Sequence, residues 1–201
     1  GARLTMHHDH GGHHEDFDEF YAGGHQWSGN PNEALIHEAF DLTPGRVLDI
    51  GAGEGADAVW LAEHGWQVTA LEPVAAAVER GRELAARRGV DKQITFEAAT
   101  LSEFLAGAGG QSFNLICAFY FPAPVPDREA RALAELLAPG GTLLWVDHDW
   151  EGQRPERMNP ATMESLLEGL TARSELRRST RDVSHGAGTQ HHEDLILRAE
   201  R

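Results

Sequence analysis

The chain predicts an α/β fold: a doubly wound seven-stranded sheet, mostly parallel, closed by a reversed C-terminal β-hairpin. Three observations predict it. The stretch from Arg46 to Pro73 reads as a strand, a glycine-rich turn, a helix and a second strand ending in an acid. Strand-like apolar runs then alternate with helical segments as far as Val146, the pattern that βαβ crossovers produce. Two strand-like runs end the chain with no helix between them, which suits an antiparallel hairpin and not a further parallel crossover. With 201 residues the chain can bury one sizeable core and is too short for two typical α/β domains. Residues 26–201 are expected to form one domain, preceded by a flexible histidine- and acid-rich segment over 1–25.

The elements follow in order. A first helix is expected from Glu33 to Phe40. Val47, Leu48 and Ile50 give a short apolar run suited to a buried parallel strand, and Gly51, Gly53 and Gly55 let the backbone turn tightly against a ligand. Ala58, Val59, Leu61 and Ala62 have helical spacing, and the helix stops at His64-Gly65, where glycine supplies a left-handed cap. Trp66 to Leu71 is strand two. Ala75 to Arg88 is a helix ended by Gly89, Ile94 to Ala98 is strand three, and Leu101 to Leu105 is a short helix before the Gly107–Gly110 loop. Phe113 to Phe119 forms strand four. An amphipathic helix over Asp127 to Leu137, closed by Pro139-Gly140-Gly141, leads to strand five at Thr142 to Val146. Met163 to Leu170 is the last helix, with hairpin strands at Glu175 to Asp182 and Leu195 to Ala199.

Glu72 lies at the end of strand two, about 20 residues past the first glycine, where a carboxylate can accept from both hydroxyls of a ribose. An adenosine derivative is therefore the expected ligand. The loop reads GxGxG, not the GxGxxG of dinucleotide folds, and Glu54 brings negative charge to the helix start. That charge suits a helix dipole but not a diphosphate. A cationic ligand fits better.

On these residues, Leu48-Asp49-Ile50-Gly51-Ala52-Gly53-Glu54-Gly55 resembles motif I of the class I S-adenosylmethionine-dependent methyltransferases, a Rossmann-like family. The run Leu-Ala-Pro-Gly-Gly-Thr-Leu-Leu from Leu137 and the terminal hairpin are similar to the same family, so the resemblance spans about Pro31 to Arg201. It implies S-adenosyl-L-methionine as cofactor. It further implies donor contacts at Asp49, Gly51, Ala52, Gly53, Gly55, Glu72, Pro73, Thr100, Leu101 and Ala118. Gln26-Trp27-Ser28-Gly29-Asn30-Pro31-Asn32 resembles a tryptophan-bearing lid segment of small-molecule enzymes related to the tellurite-resistance and thiopurine methyltransferases, placing Trp27 on the donor and Tyr21 in the lid.

Each assignment has a structural alternative. Asp49 can instead bond the glycine loop, Glu72 can be a solvated turn carboxylate, and Thr100, standing where the family usually has an acid, can be a helix cap. Phe119, Tyr120 and Phe121 at the end of strand four can wall adenine, the sulfonium or the substrate, and Phe119 and Phe121 can equally pack in the core. The family's Asp/Asn-Pro-Pro-Tyr/Phe motif of amino-group methyltransferases is absent there. Asp147-His148-Asp149-Trp150 is expected to follow strand five and open onto the crevice, with His148 as a proton acceptor where the methyl acceptor must lose a proton. Asp147 can equally cap the turn. His192 is either a substrate-side residue or an exposed loop histidine, and His185 is expected in a loop.

A net charge of -15, from 17 basic and 32 acidic residues, supplies no basic field for phosphate backbones. The expected partner is a small-molecule acceptor, not nucleic acid or an anionic membrane. The lone Cys117, the absence of a ~20-residue apolar run and the lack of an apolar leader point to a cytoplasmic protein, monomer or homodimer. Between Met6 and His25 lie six of the twelve histidines. His7, His8, His10, His13 and His14 can bind a divalent metal incidentally. Two other readings stay open: a nicotinamide-dependent oxidoreductase, and a non-catalytic metal-binding protein that uses this tract.

Overall fold

A computed structural model describes residues 29–150, 155–185 and 188–201, without the side chains of 181–192. Its elements are α1 (Glu33–Ala39), β1 (Arg46–Ile50), α2 (Ala56–Glu63), β2 (Gln67–Leu71), α3 (Ala75–Arg87), a 3-10 turn (Asp91–Gln93), β3 (Ile94–Glu97) and α4 (Leu101–Ala106). They continue as β4 (Phe113–Phe119), α5 (Asp127–Glu135), β5 (Leu137–His148), α6 (Pro160–Leu166), β6 (Arg173–His185) and β7 (Gly188–Glu200).

The strands form one seven-stranded sheet in the order β3-β2-β1-β4-β5-β7-β6. The first five pair in parallel, and β7 runs antiparallel between β5 and β6. The predicted reversed hairpin is thus present. Alternate residues of the central strands feed two cores, as the pleat requires. Leu48, Ile50, Ile116, Leu143 and Trp145 pack with Phe104, Leu133 and Met163 of α4, α5 and α6. Val47, Leu115, Cys117, Leu144 and Val146 pack on the other face with Leu35, Val59 and Val78 of α1, α2 and α3. Parallel strands buried on both faces have no polar alternation, which is why they were legible as apolar runs. The N-terminal helix is tied to the hairpin by charge. Buried Glu38 accepts from Arg177 and Arg198, and Arg198 also donates to the Glu38 carbonyl at 2.8 Å.

Four boundaries differ from expectation. Pro139-Gly140-Gly141 belongs to a bulged start of β5, where the register shifts between Phe113 and Leu115; a Cβ on Gly141 would lie 2.8 Å from the Ala138 carbonyl. Helix α6 begins at Pro160 because Asn159 accepts from the Ala161 amide at 2.7 Å and proline suits a first turn. β6 and β7 each run 13 residues, far beyond their apolar parts. In sequence their outer ends are mostly polar and carry no apolar alternation from which a strand could be read. His185 and His192 accordingly lie in strands and not in loops, paired in register with Gly188 and Arg181.

Helix α4 opens with a capping box: the Thr100 hydroxyl accepts from the Glu103 amide at 3.1 Å, and the Glu103 carboxylate accepts from the Thr100 amide at 2.8 Å. We expect Thr100→Ala to cost about 1 kcal/mol, or roughly 2–4 °C in Tm, read by thermal unfolding. A matched fall in S-adenosylhomocysteine affinity would add a donor contact to the cap; unchanged affinity would leave the cap alone.

Candidate active site

In an open α/β sheet the ligand crevice lies beyond the carboxyl ends of the strands. The turn after β1 carries Gly51, Gly53 and Gly55 at φ 74°, 58° and 91°, left-handed values that side chains disfavour. A Cβ on Gly51 would approach the Phe121 ring to 3.0 Å, and one on Gly55 would lie 3.1 Å from the Gly81 Cα. Four amides of this turn are already committed. Gly51 and Ala52 donate to the Leu71 carbonyl at 2.9 and 2.8 Å, Gly53 donates to Glu72 Oε1 at 2.9 Å, and Gly55 donates to the Ala52 carbonyl at 3.1 Å. A diphosphate nest needs such amides pointing outward, so this turn is not built to hold one.

Carboxylates surround the turn instead. Asp49, Asp57 and Glu72 are 2%, 9% and 1% exposed. Glu72 ends β2 as expected, accepting from Gly53 on one oxygen and from the Val74 amide at 3.0 Å on the other. Asp49 Oδ1 is 4.0 Å from the Cys117 thiol, whereas Asp49 Oδ2 is buried with no hydrogen-bond partner. Burial, then the neighbouring Asp57 and Glu72 charges, hold the Asp49 carboxyl well above the usual carboxylate range. Burial also raises Asp57, opposed by its hydrogen bonds from Asn32. Burial first, then Asp49 and Asp57, pushes the Cys117 thiol up, which makes it inert as a nucleophile.

Asp57 was missed by the sequence reading. It sits in the first turn of α2 and accepts from the Asn32 amide at 2.8 Å and from its side chain at 2.7 Å. An acid directly after a glycine turn was its available signal. The pairing seats the segment before α1 beside the glycine turn. Trp27 and Tyr21, expected in the lid, and His7, His8, His10, His13 and His14 lie outside the described residues.

The remaining expected residues divide into two groups. Pro73 is exposed beside Glu72, and Thr100 with buried Leu101 starts α4 after β3, so these border the same crevice. Ala118 is fully buried within β4, paired with Ile50 and Trp145. Phe119 is a correction: at 8% exposure it packs into the core on the α1–α3 side and is not a crevice wall. Phe121 takes that place, over Gly51 and 5.8 Å edge-on from Trp145.

Asp147 and His148 are the last two residues of β5 and do not follow it. Asp147 is a second correction. It is 1% exposed, accepts both Arg157 Nε and Nη2 at 3.0 Å and the His148 amide at 2.8 Å, and so anchors the strand end instead of facing a substrate. His148 stays half-buried at the crevice, its ring 4.6 Å from that of Tyr120 and 5.0 Å edge-on from Trp150. Asp194 of β7, another residue the sequence reading missed, lies opposite His148 in register. It accepts from the Tyr120 hydroxyl at 2.6 Å and places Oδ1 3.5 Å from His148 Nδ1. Among the described residues no group of three metal-ligating side chains is placed to hold a metal, and no helix is long and apolar enough to cross a membrane. The His192 side chain lies outside the described residues.

A family model for a methyltransferase domain matches residues 23–183. The chain belongs to that family, and its sheet has the family's mostly parallel, hairpin-closed order. It is 30% identical over 118 residues to the 2-heptyl-1-hydroxyquinolin-4(1H)-one methyltransferase of Mycobacteroides abscessus, covering 58% of this chain and 52% of that protein. It is also 30% identical over 146 residues to the ubiquinone biosynthesis O-methyltransferase of Xanthomonas euvesicatoria pv. vesicatoria, covering 66% of this chain and 60% of that protein. The chain therefore spans between about half and three fifths of these relatives' lengths. Among solved structures, TehB from Haemophilus influenzae superposes with a TM-score of 0.65 at 12% identity, over 92% of this chain and 67% of that one, a likeness of fold.

Proposed function

We propose that this chain is an S-adenosyl-L-methionine-dependent methyltransferase acting on a small-molecule acceptor. The observation that carries the reading is the glycine turn itself: its amides face inward to protein acceptors, and three buried carboxylates lie around it, one with an unpartnered oxygen. That is a site for a cation. The cofactor supplies a methyl group on a sulfonium, and its amino-acid end carries an ammonium group. Asp49 Oδ2 is the acceptor we assign to that ammonium, Glu72 holds the ribose, and Gly51, Ala52, Gly53 and Gly55 let the ligand lie against backbone. Thr100 and Leu101 border the adenine end, with Pro73 beside it, whereas Ala118, fully buried in β4 across β1 from that end, offers the donor no surface. The same geometry argues against a dinucleotide, whose diphosphate would meet the buried carboxylates around the turn.

On the other side of β1, His148 and Tyr120 at the ends of β5 and β4 face the acceptor's place. His148 is the group we assign to take a proton where the acceptor loses one. The two relatives are named for small-molecule methylation, one of them as an O-methyltransferase, and this supports an oxygen acceptor of that size. A net charge of -15 supports a partner other than nucleic acid or an anionic membrane, and the sole cysteine, Cys117, supports a cytoplasmic setting.

Calorimetric titration with S-adenosylhomocysteine, with NAD run beside it, tests the reading. Micromolar binding of the former alone is the expected result. Binding of NAD alone would turn the site into an oxidoreductase's, and silence from both would return the metal-binding alternative, to be checked by zinc titration with and without residues 1–25.

A further inference from the structure

The ends of β4 and β5 and the middle of β7 converge on His148 in a way the donor site does not require. Tyr120 leaves β4 with φ 56°, the one positive φ outside glycine among the described residues. Such a conformation costs about 1–3 kcal/mol and persists where the surroundings over-determine it. Here its amide donates to the Val146 carbonyl at 2.8 Å, its hydroxyl to Asp194 Oδ2 at 2.6 Å, and its ring lies against the imidazole at 32°. Asp194 is a carboxylate only 4% exposed, carried on an otherwise apolar run of β7 with Leu195, Ile196 and Leu197. Burying a charge there is costly unless it acts on a partner.

We propose that Asp194 is a positioning residue for the transfer: it holds His148 with Nδ1 protonated, which leaves Nε2 as the nitrogen that takes the acceptor's proton, and Tyr120 keeps the carboxylate aimed. This rests on the methyltransferase reading of the site. Neutral imidazole carries its proton on one nitrogen and its lone pair on the other, and a carboxylate facing Nδ1 selects the tautomer. At 3.5 Å the contact is longer than a strong hydrogen bond, yet within range to stabilise the positive ring formed on proton transfer. Among the described residues near the ring, Asp147 is paired with Arg157, and Asp149 with Arg178 at 2.6 Å. In the step served, the acceptor atom's lone pair forms the bond to the methyl carbon and the carbon–sulfur bond breaks with its pair on sulfur. The released proton goes to His148 Nε2.

Ring nitrogen shifts of His148, measured by long-range proton–nitrogen NMR on the full chain with and without S-adenosylhomocysteine, test this directly. The expected result is an Nδ1–H ring in the parent protein and loss of that preference in Asp194→Asn. Tyr120→Phe, which keeps the carboxylate but releases its orientation, is expected to lose part of it, and serves as the readout if the asparagine variant does not melt cooperatively. A parent ring protonated at Nε2, or a signal unchanged in both variants, overturns the proposal. Calorimetry on the same samples separates the two ideas. Failure of the parent to bind S-adenosylhomocysteine removes the methyltransferase reading, whereas intact binding with an unchanged tautomer removes only the role of Asp194.

Discussion

Replacing Glu72 by alanine is expected to weaken S-adenosylhomocysteine binding by ~2–3 kcal/mol, roughly 30- to 150-fold, because a charged acceptor of two ribose hydroxyls is lost. The structure adds a second cause. Glu72 accepts the Gly53 and Val74 amides, so its removal also takes away one fastening of the glycine turn, leaving the bonds of Gly51 and Ala52 to the Leu71 carbonyl. Glu72→Gln separates the two, since it keeps the shape while setting an NH2 group against one of those amide donors. Titration with 5'-methylthioadenosine, which has the ribose but no amino-acid end, localises the effect. Both ligands should weaken together in Glu72→Ala. Unchanged affinity for both would remove Glu72 from the donor site.

Asp49→Asn is expected to raise stability and lower donor affinity at the same time. The carboxyl of Asp49 is held above its ordinary value, chiefly by burial. A carboxylate with a raised folded pKa binds its proton more tightly in the native state, so its stability contribution is greatest in acid. That contribution is lost as pH climbs from the unfolded value near ~4 through the raised folded value. Above that window the native protein carries an unpaired buried charge. Asparagine removes it, and we expect a gain of about 2 kcal/mol at neutral pH, near 4–8 °C in Tm, shrinking toward acid pH. S-adenosylhomocysteine, whose ammonium favours the ionised carboxylate, should bind the parent more tightly as pH rises through the same window, releasing a proton. Calorimetry in two buffers of different ionisation heat measures that proton. An Asp49→Asn variant with parental affinity and no gain in Tm would show that this carboxylate neither strains the fold nor meets the ligand.

Much of the fold was legible because its central strands are buried on both faces and punctuated by glycine. Gly65 at φ 97° and Gly89 at φ 74° end helices α2 and α3 where the sequence placed those ends. The hairpin was legible in kind and not in length, since the sequence of its outer ribbon carries no apolar alternation. The placement of the two acids we assign to the donor was legible for a similar reason. Asp49 and Glu72 lie within one βαβ unit, so local spacing alone brings them to one turn.

The acceptor half was not. Asp147 reads as a crevice acid until Arg157 claims it, and Phe119 reads as an aromatic wall until the pleat turns it toward α1–α3. Sequence alone determined the succession of strands and helices, the glycine cradle and the acids Asp49 and Glu72 of its two strands, because these are local features that lie within about thirty residues of one another. Tertiary structure decided that Asp194 faces His148 and Tyr120. That meeting depends on the antiparallel register of β7 against β5, which is set by the match of apolar faces along two long strands and leaves no local signature.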